Sequence, residues 1–305
     1  MIHLLAVAAL LLASFCWGAT FVLVKDSLQW MPPEYLMSSR FLLAGVLLLL
    51  IAGLRRTLTI AAVGPGVVLG LLLGTGFWLQ IRGLAEIAPS RSALLTGFSI
   101  VFVPFFDRAI YKVPLRLNAV AATVLALLGL YFLAGGVSGG LAFGDLLTLF
   151  GASLFAIHIV FSARVSRLHS ELALAAIQIT AVGVGTAPAL LLQKPANYGL
   201  HVVGSIVVMA LIPTALAFFL LMWSQARLTA TEAAVILAFE PISAAVTSLL
   251  LKLEHWTIQQ HLLGGGLIVV AMVLTQVKRE GEFAAGGVGP HGVRPVPTPG
   301  DTNRT

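Results

Sequence analysis

The sequence predicts an all-α integral membrane protein of ten transmembrane helices, arranged as two inverted five-helix repeats around a central cavity. Of the 305 residues, 59% are hydrophobic and only 10% are charged, too few charges for the surface of a water-soluble domain. The apolar residues also fall into ten blocks, each close to the roughly 20 residues that cross a bilayer as a helix. The blocks are 3–25, 34–54, 64–84, 89–111, 114–134, 145–165, 171–193, 200–223, 229–251 and 257–277.

The order of these blocks predicts an internal duplication. The second five blocks echo the first five, and because five is an odd number, two halves that share a fold must have opposite orientations in the membrane. Inverted repeats recur in secondary transporters, which hold the substrate near the midplane between the repeats. The expected domains are residues 1–139 and 140–280, followed by a Gly- and Pro-rich cytoplasmic tail, 281–305, that is expected to be disordered.

The first block is expected to be an uncleaved membrane helix. No basic region precedes its apolar run, which continues to Val24 without a clear cleavage site. With the N-terminus inside, twelve of the 18 Lys and Arg residues lie on the cytoplasmic side. The positive-inside rule then predicts a multi-pass inner-membrane protein with both termini in the cytoplasm. The six remaining cations are Lys25, Arg40, Arg82, Arg91, Lys194 and Lys252.

One side of the first span carries a stripe of residues at helical spacing, Ser14, Trp17, Gly18, Phe21 and Lys25. A surface that faces only lipid would not need the serine and the glycine. Trp17 and Phe21 are therefore predicted to line a substrate cavity, because aromatic walls suit substrates with apolar parts. Packing within the helix bundle is the alternative.

Two arginines, Arg40 and Arg82, lie one or two turns inside the outer ends of the second and third spans. We expect them to snorkel outward or to pair with Glu34 and Glu86. Attraction of a substrate carboxylate is the alternative.

Deep residues in the third and fourth spans extend the predicted cavity. Phe77 and Trp78 lie far from the ends of the third span, where they offer an apolar wall or a cation–π contact to an ammonium group. Ser99 lies within the fourth span, where its hydroxyl either faces the cavity or bonds back to its own helix. Pro104, in the same span, removes an intrahelical hydrogen bond and can free a carbonyl.

The sixth to eighth spans add three candidate binding residues: His158, Gln178 and Trp223. Polar side chains deep in a span are costly, so His158 and Gln178 are expected to face the cavity or to find a partner. Trp223 also suits the aromatic belt at the inner interface. Pro188 and Pro213 are expected to disturb the seventh and eighth spans.

The ninth span carries the most informative residue. Glu240 lies about nine residues into this span, directly before Pro241, and a carboxylate at a helix centre costs about 2.5–3.5 kcal/mol to insert. It is predicted to capture a substrate ammonium or a coupling proton. A hydrogen-bonded or protonated structural carboxyl is the alternative.

Several motifs are absent from the sequence. It has no Walker A, HExxH or GxSxG motif, so neither ATP hydrolysis nor these enzyme chemistries are expected, and no metal or cofactor is expected. The lone Cys16 excludes an internal disulfide. The expected partners are a small-molecule substrate and the lipid bilayer, without nucleic acid, and nothing in the sequence requires more than a monomer.

Over about residues 5–278 the chain resembles the EamA-type branch of the drug/metabolite transporter superfamily. The resemblance rests on Trp17-Gly18-x-x-Phe21-x-x-x-Lys25, on Pro33 with Arg40-Phe41, on Ala234 through Glu240-Pro241, on Glu254, and on Gly264–Gly266. It implies ten helices in two inverted repeats, a central cavity, and export of small metabolites without ATP. Within the family, the chain is most similar to the YddG-like exporters of aromatic and other neutral amino acids.

These observations predict an amino-acid exporter that works by alternating access, without enzymatic activity. The alternatives are a transporter of a drug-like cation or a sugar phosphate, a membrane-embedded lipid-handling enzyme, and a structural membrane protein. A sugar phosphate requires a deep cation, and none of the deep positions singled out above is cationic.

Overall fold

The computed structural model of the protein describes residues 1–115, 117–133, 142–193, 199–251 and 258–276. In this part of the chain every regular element is a helix. The predicted tail, 281–305, and the predicted boundary between the halves lie outside the described residues. The helices are α1 (Ile2–Ser27), α2 (Pro33–Leu54), α3 (Ile60–Glu86), α4 (Pro89–Gly97), α5 (Ser99–Tyr111), α6 (Leu117–Leu133), α7 (Phe143–Val165), α8 (Glu171–Thr186), α9 (Pro188–Leu192), α10 (Leu200–Ala210), α11 (Ala217–Gln225), α12 (Ala230–Leu237), α13 (Phe239–Leu250) and α14 (Ile258–Gln276).

Within the described ranges, eight helical stretches are long and apolar enough to cross a membrane. They coincide with eight of the ten predicted blocks, which confirms an all-helical, multi-pass membrane fold. The other two blocks fall on α6 and α14, whose apolar stretches, Leu117–Phe132 and Leu262–Leu274, are shorter. That these two helices cross the membrane, and that the two halves are inverted, remain predictions.

Two of the spans are divided near their middle. The fourth is broken at Phe98 into α4 and α5, and the ninth at Ala238 into α12 and α13. Pro241 follows the second break and lacks the N–H that would bond to the Leu237 carbonyl. Ser14 Oγ, from α1, donates to this carbonyl at 3.2 Å. A side chain of another helix therefore replaces the missing backbone donor.

The eighth span contains a π-helical turn, Leu211–Leu216, between α10 and α11. Pro213 has no N–H for the Met209 carbonyl, which instead accepts a hydrogen bond of 2.7 Å from Thr214 Oγ1. The Pro213 carbonyl accepts a hydrogen bond of 2.7 Å from Trp17 Nε1. The Pro213 carbonyl thus anchors Trp17 of α1 to the π-helical turn.

The first helix of each predicted half packs mainly on helices of the other half. α1 contacts α11, α12 and α13, while α7 contacts α3, α4 and α5. Glycines allow this close approach: a Cβ on Gly151 of α7 would lie 2.8 Å from the Gly76 carbonyl oxygen of α3, and a Cβ on Gly18 of α1 would overlap the Glu240 carbonyl oxygen. In addition, α2 pairs with α8 and α6 with α14.

Polar ties join the helices at the end predicted to be extracellular. Arg91 of α4 donates two hydrogen bonds, of 2.7 and 2.6 Å, to the fully buried Asp145 carboxylate at the start of α7. Arg82 pairs with Glu34 at the more exposed start of α2, as the sequence predicts. Lys25 Nζ donates to three carbonyls near the end of α3, at 2.8 to 3.1 Å. These contacts hold the ends of neighbouring helices together on the side of the bundle that is predicted to be extracellular.

Candidate functional site

Seven of the predicted spans surround a central cavity of about 80 Å³, which is room for several water molecules or part of a small metabolite. Its walls come from α1, α2, α3 and α7, from the π-helical turn with α11, and from the breaks in the fourth and ninth spans. The structure brings six of the nine predicted binding residues together around it. They are Trp17, Phe21, Phe77, Ser99, His158 and Glu240.

Aromatic rings form one continuous wall of the cavity. The ring centroid of Trp17 lies 4.9 Å from that of Phe218, and Phe77 lies 5.1 Å from Phe155 and 6.0 Å from Phe218. Phe155 and Phe218 are absent from the sequence-based prediction. Phe155 lies three residues before His158 and so shares its helix face, a signal that would have found it.

His158 lies in the wall with 2% of its surface exposed. Its Nε2 lies 2.7 Å from Gln178 Oε1, and because this oxygen only accepts, Nε2 is the donor. Gln178 does not line the cavity and is placed behind the imidazole. A Cβ on Gly70 would lie 2.8 Å from the Gln178 carbonyl oxygen, so α3 and α8 approach closely at this point. Gln178 is thus placed to orient His158.

Hydroxyl and amide groups line the cavity near the break in the fourth span. Ser99 is the first residue of α5. Gln80 Nε2 donates to Thr96 Oγ1 at 2.8 Å, and Thr96 Oγ1 donates to the Ser92 carbonyl at 2.9 Å. Gln80 and Thr96 both line the cavity, so they add a polar patch beside the aromatic wall.

Glu240 lies in the first turn of α13, directly after the break in the ninth span. Ser243 Oγ donates to its backbone carbonyl at 3.0 Å. Within the described part of the chain, no hydrogen bond or ion pair engages its carboxylate. The residue is partly buried and lines the cavity, so its carboxylate is free to meet a ligand.

Arg40 lies deeper than the sequence predicts. It is 4% exposed and lines the cavity, and none of the ion pairs among the described residues includes it. Its guanidinium carbon lies 4.9 Å from the ring centroid of Phe41 and 5.2 Å from that of Phe77. The expectation that it snorkels or pairs with Glu34 or Glu86 is therefore wrong, because the side chain follows the cavity face of α2. The cavity thus contains a deep cation.

Two predicted tryptophans lie away from the cavity. Trp78 is 43% exposed and its Nε1 donates to Glu34 Oε1 at 3.2 Å, near the outer end of α3. The ring of Trp223 lies under the Arg227 guanidinium at 4.2 Å, near the end of α11. Neither side chain lines the cavity. Among the described residues no group of three His, Cys, Asp or Glu side chains is arranged to hold a metal ion.

Comparison with known proteins relates this architecture to transporters. The chain is 28% identical over 278 residues to an uncharacterized transporter from Archaeoglobus fulgidus, covering 90% of this chain and 87% of that protein. It is 26% identical over 273 residues to the uncharacterized transporter YdfC of Bacillus subtilis, covering 86% and 88% of the two proteins.

The fold and the family are also recognised. A crystal structure of another protein superimposes with a TM-score of 0.73 at 20% identity, over 88% of this chain and 96% of that one. The EamA-like transporter family matches residues 4–135 and again 142–276. These two matches cover most of the chain, which therefore belongs to the EamA-like transporter family of the drug/metabolite transporter superfamily and is a membrane transporter.

Proposed function

We propose that this transporter exports aromatic and other neutral amino acids across the inner membrane by alternating access. The observation that carries the proposal is the Glu240 carboxylate, which faces an aromatic-lined central cavity and has no partner among the described residues. An unpaired carboxylate at this depth calls for a cationic ligand group or a proton. A substrate ammonium meets this requirement, and the aromatic wall suits the side chain of the same substrate.

The arrangement of the helices supports alternating access. The family matches the chain twice, in ranges that each contain five predicted spans. The breaks at Phe98 and Ala238 both adjoin the cavity. Discontinuous helices at the midplane are a feature of secondary transporters, in which the half-helix ends bind the substrate. Motion of one half-helix against the other would open the cavity to either side without ATP.

The proposed activity is tested by counterflow in proteoliposomes. Vesicles are loaded with unlabelled amino acids, and entry of labelled aromatic, neutral and charged amino acids is followed with and without a pH gradient. We expect uptake of aromatic and neutral amino acids that depends on the loaded amino acid. A dependence on the pH gradient would implicate a coupling proton. Absence of uptake of every amino acid, with folded protein in the vesicles, would refute the proposal.

Glu240→Gln tests the residue that carries the proposal. Loss of a charged hydrogen bond to the ammonium predicts at least about a tenfold fall in counterflow. Glu171→Gln is the matched control, because Glu171 pairs with Arg227 at 2.9 Å near a helix end and does not line the cavity. Normal transport by Glu240→Gln would remove this carboxylate from the mechanism.

Arg40 keeps one rival substrate under consideration, a sugar phosphate. A phosphate dianion is best bound by several cations, whereas the cavity wall offers Arg40 together with the carboxylate of Glu240. The amino acid is therefore the better match in charge. Counterflow of a labelled hexose phosphate, without counterflow of amino acids, would favour the rival.

A further inference from the structure

Arg40 places a positive charge inside the cavity wall, on α2 and one helical turn after Leu36. Only 4% of its surface is exposed. Its guanidinium lies over two rings, at 4.9 Å from the centroid of Phe41 and 5.2 Å from that of Phe77. The rings contact the guanidinium and supply part of the stabilisation of its charge.

The charge of Arg40 is not balanced by the protein around it. Its Nε is buried without a hydrogen-bond partner, and no carboxylate of the described ranges forms an ion pair with it. A buried charge is costly unless it is paired and hydrogen-bonded. The guanidinium fork fits a carboxylate, to which it donates two parallel hydrogen bonds. The missing partner is thus an anion that enters from the cavity.

A second unpaired charge of opposite sign lines the same cavity. Glu240 comes from α13 and Arg40 from α2, and the two do not pair with each other. Phe77 and Phe218 belong to the wall that the two charges share. A ligand with one carboxylate and one ammonium satisfies both charges at once.

We propose that Arg40 binds the carboxylate of the substrate, so that the cavity selects zwitterionic amino acids over amines, amino-acid esters and carboxylic acids that lack an ammonium group. The inference rests on the proposed function, since it concerns the same cavity. The inference names the substrate carboxylate as the group that decides specificity and names Arg40 as the residue that binds it.

Three indole compounds test the contributions of the two charged residues separately. L-tryptophan carries both, L-tryptophan methyl ester lacks the carboxylate, and indole-3-propionate lacks the ammonium. Binding of each to the purified transporter is measured by thermal stabilisation, and counterflow of L-tryptophan is inhibited with each in turn. We expect L-tryptophan to bind at least about tenfold more tightly than either analogue, because each analogue leaves one charge of the site unpaired.

Two variants, Arg40→Gln and Arg40→Lys, test whether Arg40 is the source of this selectivity. Arg40→Gln is expected to weaken the binding of L-tryptophan at least about tenfold and to leave the binding of the methyl ester nearly unchanged. Retained binding of the ester then shows that the cavity is intact. Arg40→Lys keeps the charge but loses the planar guanidinium fork. Its affinity for L-tryptophan is expected to lie between that of the unaltered protein and that of Arg40→Gln. Arg82→Gln, which alters the outer ion pair with Glu34, is the control and should bind the three compounds with the same selectivity as the unaltered protein.

The outcomes separate this inference from the proposed function. If L-tryptophan and its methyl ester bind and compete equally in the unaltered protein, amino-acid transport stands and the assignment of Arg40 is overturned. An Arg40→Gln variant that keeps the preference for L-tryptophan also overturns it. If none of the three indole compounds binds and no amino acid is transported, both the proposed function and the inference fail.

Discussion

Replacing Gly18 by alanine tests how closely α1 lies against the broken ninth span. In the structure, the Cβ of an alanine at this position would overlap Ser243 Oγ and the Glu240 carbonyl oxygen. It would also lie 2.8 Å from the Ala244 backbone nitrogen, inside the 3.0 Å limit of real Cβ contacts. Two of these three atoms belong to the backbone of α13 and cannot rotate away. The helices must therefore separate by about 0.5–1 Å.

The expected cost combines two effects. Overpacking of a close helix contact destabilises by about 1–3 kcal/mol. Ser243 Oγ would also lose its place near the Phe15 carbonyl, at 3.3 Å, and the Glu240 carbonyl, at 3.0 Å, which adds about 1 kcal/mol. The free energy of unfolding should therefore fall by about 2–4 kcal/mol, equivalent to about 5–15 °C in Tm. Counterflow should fall as well, because the displaced backbone carries Glu240.

The assay is thermal unfolding of the purified variants in nanodiscs, alongside counterflow in proteoliposomes. Gly64→Ala is the matched control: Gly64 lies within α3, and a Cβ there meets no atom within 4 Å. Helix propensity predicts that this control is unchanged or about 0.5–1 kcal/mol more stable. Equal Tm values for the two variants, or an unchanged Tm for Gly18→Ala, would refute the close contact between α1 and α13.

Two further predictions concern polar contacts between helices and use the same unfolding assay. Ser14→Ala leaves the Leu237 carbonyl without a donor and should lower the free energy of unfolding by about 1–3 kcal/mol. Arg91→Gln breaks two charged hydrogen bonds to the fully buried Asp145 carboxylate and should cost at least about 1.5–3 kcal/mol, whereas Arg82→Gln breaks a more exposed pair and should cost less than about 1 kcal/mol.

Each of these predictions has its own control or opposing result. For Ser14→Ala, the control is Ser153→Ala, because Ser153 Oγ donates only to the Phe150 carbonyl of its own helix, at 2.7 Å. Similar losses in the two serine variants would contradict the bond across helices. For the arginines, an Arg82 variant that is less stable than the Arg91 variant would contradict the ranking by burial.

Most of the helices could be predicted because lipid imposes a simple rule on the sequence. A segment that crosses the bilayer needs about 20 apolar residues, and eight predicted blocks fall on helices that meet this condition. The breaks were harder to place. Pro241 lies three residues after the break at Ala238, within the turn that a proline disturbs, whereas the break at Phe98 lies six residues before Pro104 and has no such local cause.

The site was predicted less well because depth along a helix does not fix the direction of a side chain. Membrane helices are apolar on all sides, so the pattern of one helix gives little information on which face is internal. Phe77 and Trp78 are adjacent, so they point about 100° apart, and only Phe77 faces the cavity. The position of Arg40 along α2 could be read from the sequence, but not that its face of the helix is turned toward the cavity.

The hydrogen bond between Ser14 and Leu237 constrains the order in which the protein is assembled. Its two residues are 223 positions apart, so at about 5–20 residues per second the ribosome needs about 10–45 s to make the second after the first. During this interval α1 is in the lipid without α11, α12 and α13, the helices on which it packs. Ser14 can bond meanwhile to a carbonyl of its own helix, whereas the indole N–H of Trp17 must wait for Pro213. The packing of α1 is therefore completed only when the eighth and ninth spans are inserted. In a nascent chain stalled before residue 213, α1 would be only loosely attached to the other helices.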